Sequence, residues 1–287
     1  MEQLTLKNAL RHPNLDDQLV LHYQPQVSVK TGRIAGVEAL VRWQHPTRGL
    51  LSPGQFIAIA ESAGLIQVIG AWVLRTGCAH AKAWQDSGYP PLRMAINVSA
   101  HQLRSNDIVE RVRWVLHDTG LEPSLLELEI TESALQIGDG VVAVLQELKQ
   151  LGVRLALDDF GAGYSSLGSI RSLPLDRLKI DRSFVCDLQH QENDRSLVRA
   201  IIAMGRTLKL EVLAEGVETY NQFSFLRDEQ CDEVQGYLLG KPMTANDFNA
   251  RFPDRVAKIP SRDLQLVKNE TNPQDKDTER SLEQLKL

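Results

Sequence analysis

Along the chain, short runs in which apolar and polar residues alternate are separated by longer stretches in which apolar residues recur every three or four positions. The first pattern has the period of a strand and the second that of a helix. Strands are expected at Val20–Val29, Ile34–Trp43, Arg93–Ser99, Leu126–Thr131, Arg154–Phe160, Arg177–Phe184, Glu211–Val217 and Glu233–Leu239. Helices are expected at Gln67–Gln85, Asp107–Thr119, Asp139–Leu151 and Ser196–Leu208, with Gly88, Gly120 and Gly152 placed to close helix ends.

Repeated strand–helix units predict a parallel sheet with helices outside it. Only Lys30–Arg33, around Gly32, joins the first two strands, which is too short for a helical crossover. That pair should be antiparallel, leaving seven strands running one way and the first against them. The 287 residues suit a single α/β barrel, which commonly takes about 250. Residues 1–259 are therefore expected to form one domain. Residues 260–287 read as a polar tail or linker, because Lys268–Arg280 is charged and broken by Pro273, with a short helix expected at Glu279–Leu287.

Composition narrows the classes. Hydrophobic residues make up 43%, an ordinary globular share, and the net charge of -5 argues against a surface for a nucleic-acid polymer. An anionic ligand stays open, because bound cations can reverse the local field. Cys78, Cys186 and Cys231 are far apart and form no CxxC pair, which speaks against a disulfide framework and for a reducing compartment. The charged first twenty residues carry no apolar leader, and Ala63–Leu74 is too short to cross a bilayer. A cytoplasmic protein without a membrane segment is the expectation.

Strands buried on both faces should be almost wholly apolar, and these are not. Glu127, Glu129 and Thr131 alternate with Leu128 and Ile130, Asn97 lies between Ile96 and Val98, and Lys179 between Leu178 and Ile180. One face of each strand can meet the helices while the other sends polar groups into the barrel mouth. Glu38, Asn97, Glu129, Asp158, Lys179, Glu215 and Gln235 all fall at or near C-terminal strand ends, where barrels of this kind place their active sites. A single acid there is ordinarily an ion-pairing group, but several together repel one another unless cations intervene. Asp158 and Asp159 are adjacent and would point apart in a regular strand; a turn at the strand end would bring both to a metal pair. The oxygen-rich set, without an HExxH spacing, favours Mg2+ or Mn2+ over zinc. Two such ions could polarise a phosphodiester, activate water and stabilise the leaving alkoxide.

The tripeptide Glu38-Ala39-Leu40 within VEALVRWQHP resembles the signature of the bacterial EAL phosphodiesterase family. With it stand HYQPQ at 22–26, INVS at 96–99, LEITES at 128–133, DDFGAGYSSL at 158–167, LKID at 178–181, AEGVE at 214–218 and QGYLLGKP at 235–242. The resemblance covers roughly residues 5–250. It implies a modified TIM (β/α)8 barrel with an antiparallel first strand, and metal-dependent hydrolysis of cyclic di-GMP to linear pGpG, with two Mg2+ or Mn2+ ions and inhibition by Ca2+. By the same resemblance Glu38, Asn97, Glu129 and Asp158 would hold one ion, and Asp158, Asp159 and Glu215 the second. Lys179 would position or activate the attacking water. Gln24, Leu40, Arg42 and Gln235 are expected to contact substrate. Asp159–Ser166 matches a loop beside the metals, anchored by Glu132, and Glu218 would be a supporting acid. Trp43, Trp72, Trp84 and Trp114 are expected to pack the core or its helices rather than to stack on guanine.

The main rival is a receptor that binds cyclic di-GMP without cleaving it, although the metal and lysine positions show no departure from the family pattern. A two-carboxylate glycosidase would leave Asn97, Asp159 and Lys179 without roles. The resemblance also implies a homodimer, and a sensory or GGDEF domain elsewhere in a longer parent protein.

Overall fold

The computed structural model describes residues 2–12, 14–105, 107–135, 140–161, 170–188 and 192–251. Nine strands are present among them: β1 Leu19–Ser28, β2 Ile34–His45, β3 Gly49–Leu51, β4 Arg93–Val98, β5 Leu126–Thr131, β6 Arg154–Phe160, β7 Arg177–Ile180, β8 Glu211–Ala214 and β9 Glu233–Gln235. The helices are α1 Glu2–Leu10, α2 Pro53–Ser62, α3 Ile66–Asp86, α4 Ala100–Leu103, α5 Ile108–Thr119, α6 Glu132–Leu135, α7 Gly140–Gln150, α8 Arg182–Cys186, α9 Glu192–Leu208, α10 Tyr220–Asp228 and α11 Ala245–Arg251.

Strands β2 and β4–β9 run parallel, and β1 closes the barrel by pairing antiparallel with both β2 and β9. The tight turn between β1 and β2 accounts for the reversal, with Gly32 at φ +66°. The fold is thus the modified TIM barrel expected from the strand count and that one connection. Outward-facing residues of the strands meet apolar helix stripes: α3 buries Ile69, Val73, Leu74 and Cys78, α5 buries Val112 and Val115, and α9 buries Val198, Ile201 and Ile202. Gly88, Gly120 and Gly152 all take the left-handed conformation that ends a helix.

Several boundaries differ from expectation. The sixth expected strand, Arg177–Phe184, ends at Ile180, because the Asp181 carboxylate accepts the Ser183 N–H and starts α8. The last stops at Gln235 rather than Leu239. There Gly236 lies so close to the Val217 backbone that a Cβ would meet its oxygen at 2.1 Å, and the chain turns. The hairpin strand β3 and helices α1, α2, α10 and α11 were not anticipated. Trp43 and Trp84 are buried and Trp72 packs on the core, but Trp114 is 52% exposed beneath the Arg75 guanidinium. Residues 260–287, including the expected tail helix, lie outside the described residues.

Inside the barrel, the end opposite the mouth is ionic. Arg177 reaches Glu127 (3.1 Å), Glu233 (2.9 Å) and Glu211; Arg93 reaches Glu127 (3.1 Å) and Glu233 (2.6 Å); Arg154 reaches Glu127 (3.1 Å) and Glu211 (2.7 Å). The sequence reading sent Glu127 to the mouth with Glu129. It faces inward as expected, but one strand layer lower. Burial alone would raise the Glu127 pKa, yet the three guanidiniums hold it below the usual carboxylate value. Glu233, with Arg177 and Arg93 beside it, is drawn down to about 2 against the same penalty.

A charge removed from this floor leaves its partners buried and uncompensated. Glu127→Ala should cost about 3–5 kcal/mol in denaturant unfolding. Glu110→Ala, at an exposed pair with Arg113, should change stability by less than about 1 kcal/mol. Equal effects at the two positions would mean that the floor adds nothing beyond surface pairing.

Candidate active site

At the other end of the interior, the expected site residues stand on or just beyond successive strands. Glu38 is on β2, Asn97 on β4, Glu129 on β5, Asp158 and Asp159 on β6, Lys179 on β7 and Gln235 on β9, while Glu215 follows the last residue of β8. Parallel register puts Asn97 beside Glu129 and Thr131 beside Asp158. In-facing Ala95 and Ala156 are fully buried one step below, and their small size leaves room for long side chains above and beneath them.

Lys179 is the hub, with no exposed surface. Its Nζ lies 2.7 Å from Glu129 Oε2, 2.7 Å from Glu215 Oε1 and 3.0 Å from Asp158 Oδ1. Burial works against the ammonium, but Asp158, Glu129, Glu215 and Glu38 more than offset it, so its pKa lies well above the ordinary lysine value. Lys179 is therefore held as a charged donor to three carboxylates.

One lysine cannot neutralise the whole acidic ring. Burial, followed by its acidic neighbours, raises Glu129 despite Lys179 and lifts Glu215 to about 8. Asp159 rises to about 6 through burial and the nearby Asp158 and Asp181. Glu38 goes the other way. Burial pushes it up, but Lys179 and hydrogen bonds from Gln235 and Asn97 hold it below the usual value.

The expected turn at Asp158–Asp159 is present. Asp159 has φ +54°, and the β6–β7 register shifts between Leu157 and Phe160. As a result Asp158, Asp159 and Glu215 each offer an oxygen within 4.8 Å of the others. Glu38 receives Asn97 Nδ2 at 2.7 Å, which fixes the Asn97 amide with its oxygen free to face a ligand. Glu129 Oε1 is buried and finds no hydrogen-bond donor among the described residues. An acceptor-only cluster with raised pKa values and an orphaned carboxylate oxygen fits hard divalent cations.

The other assignments divide. Gln24 is buried and accepts from Gln235 Nε2 at 3.1 Å. Leu40 lines a groove of about 840 Å3 that opens beside Glu38 and Asn97 and is walled by Ile57, Ile69 and Val73. Arg42 is half-buried and donates to the Val41 carbonyl at 2.9 Å. Glu132 opens α6 and is buried, but residues 162–166 of the loop it was expected to anchor lie outside the described residues. Glu218 is exposed; its backbone N–H donates to Gln222. Two participants were missed. Asp181 lies close enough to Asp159 to help raise its pKa, and its place just after β7 within LKID was the available signal. Gln26 sits beneath Gln235, and its in-facing parity with Gln24 on β1 could have identified it.

This arrangement has known counterparts. A family model described as "EAL domain" matches residues 5–242. The chain belongs to the EAL domain family. It is 46% identical over 243 residues to the Pseudomonas aeruginosa cyclic di-GMP phosphodiesterase NbdA, covering 84% of this chain and 31% of that protein. It is 43% identical over 248 residues to the Escherichia coli cyclic di-GMP phosphodiesterase PdeR, covering 86% and 37%. A solved structure of the PaMucR phosphodiesterase in complex with c-di-GMP superposes with a TM-score of 0.82 at 46% identity, over 85% of this chain and 99% of that one. The chain spans roughly a third of the length of these curated relatives. Among the described residues, no helix is long and apolar enough to cross a membrane.

Protons held by the acidic ring compete with a cation. A carboxylate with a raised pKa is protonated below that value, so the apparent Mn2+ affinity should rise from pH 6 to pH 8 as Asp159 and Glu215 lose their protons. Calorimetric titration at several pH values, in buffers of different ionisation enthalpy, should also detect proton release. An affinity independent of pH over that range would contradict a protonated metal-free cluster.

Proposed function

We propose that this chain hydrolyses cyclic di-GMP to linear pGpG with the help of two Mg2+ or Mn2+ ions. The observation that carries this is the complete oxygen donor set around Lys179, at the mouth of a barrel whose relatives are named as phosphodiesterases for that nucleotide.

Glu38, Asn97, Glu129 and Asp158 would hold one ion, and Asp158, Asp159 and Glu215 the other. When bound, such ions neutralise the phosphodiester and lower the pKa of water. The chain's own groups supply placement. Asp158 would serve both positions, and the register break in β6 brings it together with Asp159. Lys179, kept charged, donates to the attacking water or to a phosphoryl oxygen and so fixes the line of attack. The apolar groove along Leu40, Ile57 and Ile69 suits a flat base, and Arg42, half-buried and close enough to Glu38 and Tyr237 to feel their charge, can pair with a phosphate. The product defines the bond that breaks. The water oxygen joins phosphorus, the P–O3′ bond opens and the departing O3′ takes the proton, leaving a 5′-phosphate. Ca2+, with its looser coordination, should occupy the site without supporting turnover. Glu132 and Glu218 are assigned supporting roles, Glu132 at the loop that continues from Asp159.

Nucleotide chromatography after incubation with cyclic di-GMP and Mn2+ should show pGpG accumulating. Binding with persistently intact substrate in both Mg2+ and Mn2+ would identify a receptor instead. Glu38→Ala should abolish most turnover at limiting metal in a folded protein; a near-normal rate would remove Glu38 from the ligand set.

Lys179→Ala should lower kcat at least about 100-fold while changing KM little, because its contacts are with the reacting centre rather than the base pocket. A variant that lost affinity but kept its maximal rate would make Lys179 a substrate-binding group.

A further inference from the structure

The three glutamines at the centre of the barrel form a chain with one direction. Arg93 Nη2 donates to Gln26 Oε1 at 3.0 Å, and Gln26 Nε2 donates to Gln235 Oε1 at 3.1 Å. Gln235 Nε2 then donates to Glu38 Oε2 at 2.5 Å and to Gln24 Oε1 at 3.1 Å, and Gln24 Nε2 ends on the Gly240 carbonyl at 3.1 Å. A side-chain amide can ordinarily be turned end for end. Here both ends of the chain forbid it. A guanidinium only donates, while an ionised carboxylate and a backbone carbonyl only accept. All three glutamines are buried, so water cannot substitute for a misdirected partner. The start of the chain is also fixed, because Arg93 is clamped by Glu233 and Glu127 in the ionic floor. Gly36 makes the close approach possible: a Cβ there would meet Gln26 Oε1 at 3.1 Å and the Arg93 carbonyl at 2.9 Å.

We propose that Gln26 and Arg93 are positioning residues of the metal site, setting the Gln235 amide so that its NH2 group holds the Glu38 carboxylate toward the ion. The proposal rests on the metal-site reading above. Its decisive feature is direction rather than contact, and one isosteric change tests it. In Gln26→Glu, the new carboxylate still accepts from Arg93, more strongly than the amide did. It has no N–H for Gln235 Oε1, so Gln235 must turn over and present its oxygen to Glu38.

Mn2+ titrations of the full chain, followed by calorimetry or by the free-ion electron spin resonance signal, read this out without relying on turnover. Folded Gln26→Glu should bind Mn2+ at least about tenfold more weakly, the scale of a lost supporting hydrogen bond, even though the added buried charge lowers its melting temperature. Gln26→Met, which removes the donor without reversing the amide, should lose less, about threefold. Because the effect passes through Gln235, adding Gln26→Glu to Gln235→Met should weaken binding by less than about twofold further. Parental or tighter Mn2+ binding in Gln26→Glu overturns the proposal, as does a full loss persisting in the Gln235→Met background. Should Gln26→Glu not fold, parental affinity in Gln26→Met overturns it. Absence of Mn2+ binding by the parent chain would overturn the functional reading instead, so the two failures are distinguishable.

Discussion

The structure turns on how this barrel keeps charge in its interior. Barrels of this architecture commonly fill their centre with branched apolar layers. Here the inward positions carry arginines and glutamates at one end, and carboxylates with one lysine at the other. Taking ions out of water costs several kcal/mol each unless partners and hydrogen bonds replace the lost solvation. The floor meets that cost by matching Arg93, Arg154 and Arg177 with Glu127, Glu211 and Glu233. The mouth does not. Glu38, Glu129, Asp158, Asp159 and Glu215 have only Lys179 at their centre, so part of the ring must carry protons or gather cations. A balanced floor under an unbalanced mouth localises the deficit of positive charge where the barrel is open to ligands.

Between the two layers, size matters more than charge. Gly36, Ala95 and Ala156 occupy inward positions where a larger side chain would block the groups on either side. Long side chains from the floor and the mouth can therefore touch through Gln26 and Gln235 rather than being separated by a plug. The mouth inherits its geometry from a rigid, fully paired layer, which is how catalytic groups on strands are held within a fraction of an ångström.

The barrel class and the antiparallel first strand could be read from the repeated strand–helix units and one short connection, and the polar positions at the barrel mouth from parity; the roles given to them as metal ligands are what the family resemblance implies. These properties are local: Asn97, Glu129 and Asp158 announce themselves by interrupting apolar strands near their C-terminal ends, and Glu38 by interrupting β2 part-way along. What could not be read was depth along the barrel axis. Glu127 and Glu129 have the same parity and similar neighbours, yet one belongs to the floor and the other to the mouth, because stagger between strands is a property of the closed barrel. Strand ends were also overextended where a cap decided them. Arg177–Phe184 reads as one apolar run, but the Asp181 side chain competes for the backbone and turns it into a helix. Trp114 was expected to pack and is largely exposed because its helix face looks outward, where Arg75 covers the ring.

The departures from regular strand geometry are concentrated where the chemistry is. Asp159 takes a left-handed conformation that a non-glycine residue adopts at a cost, and Gly216, next to Glu215, has φ +70° with the Arg182 Cβ only 2.5 Å from where a side chain would begin. In an uninterrupted strand, Asp158 and Asp159 would face opposite sides of the sheet. The left-handed residue cancels that alternation, and the turn after β8 brings Glu215 back over the same point. A regular strand end directs only alternate residues inward, so it cannot turn two adjacent carboxylates to the same point. Bringing a second set of oxygens to the same spot requires the backbone to leave the strand. The strain at Asp159 and the glycine at 216 are thus the local conformational cost of bringing the Asp158, Asp159 and Glu215 oxygens to one place.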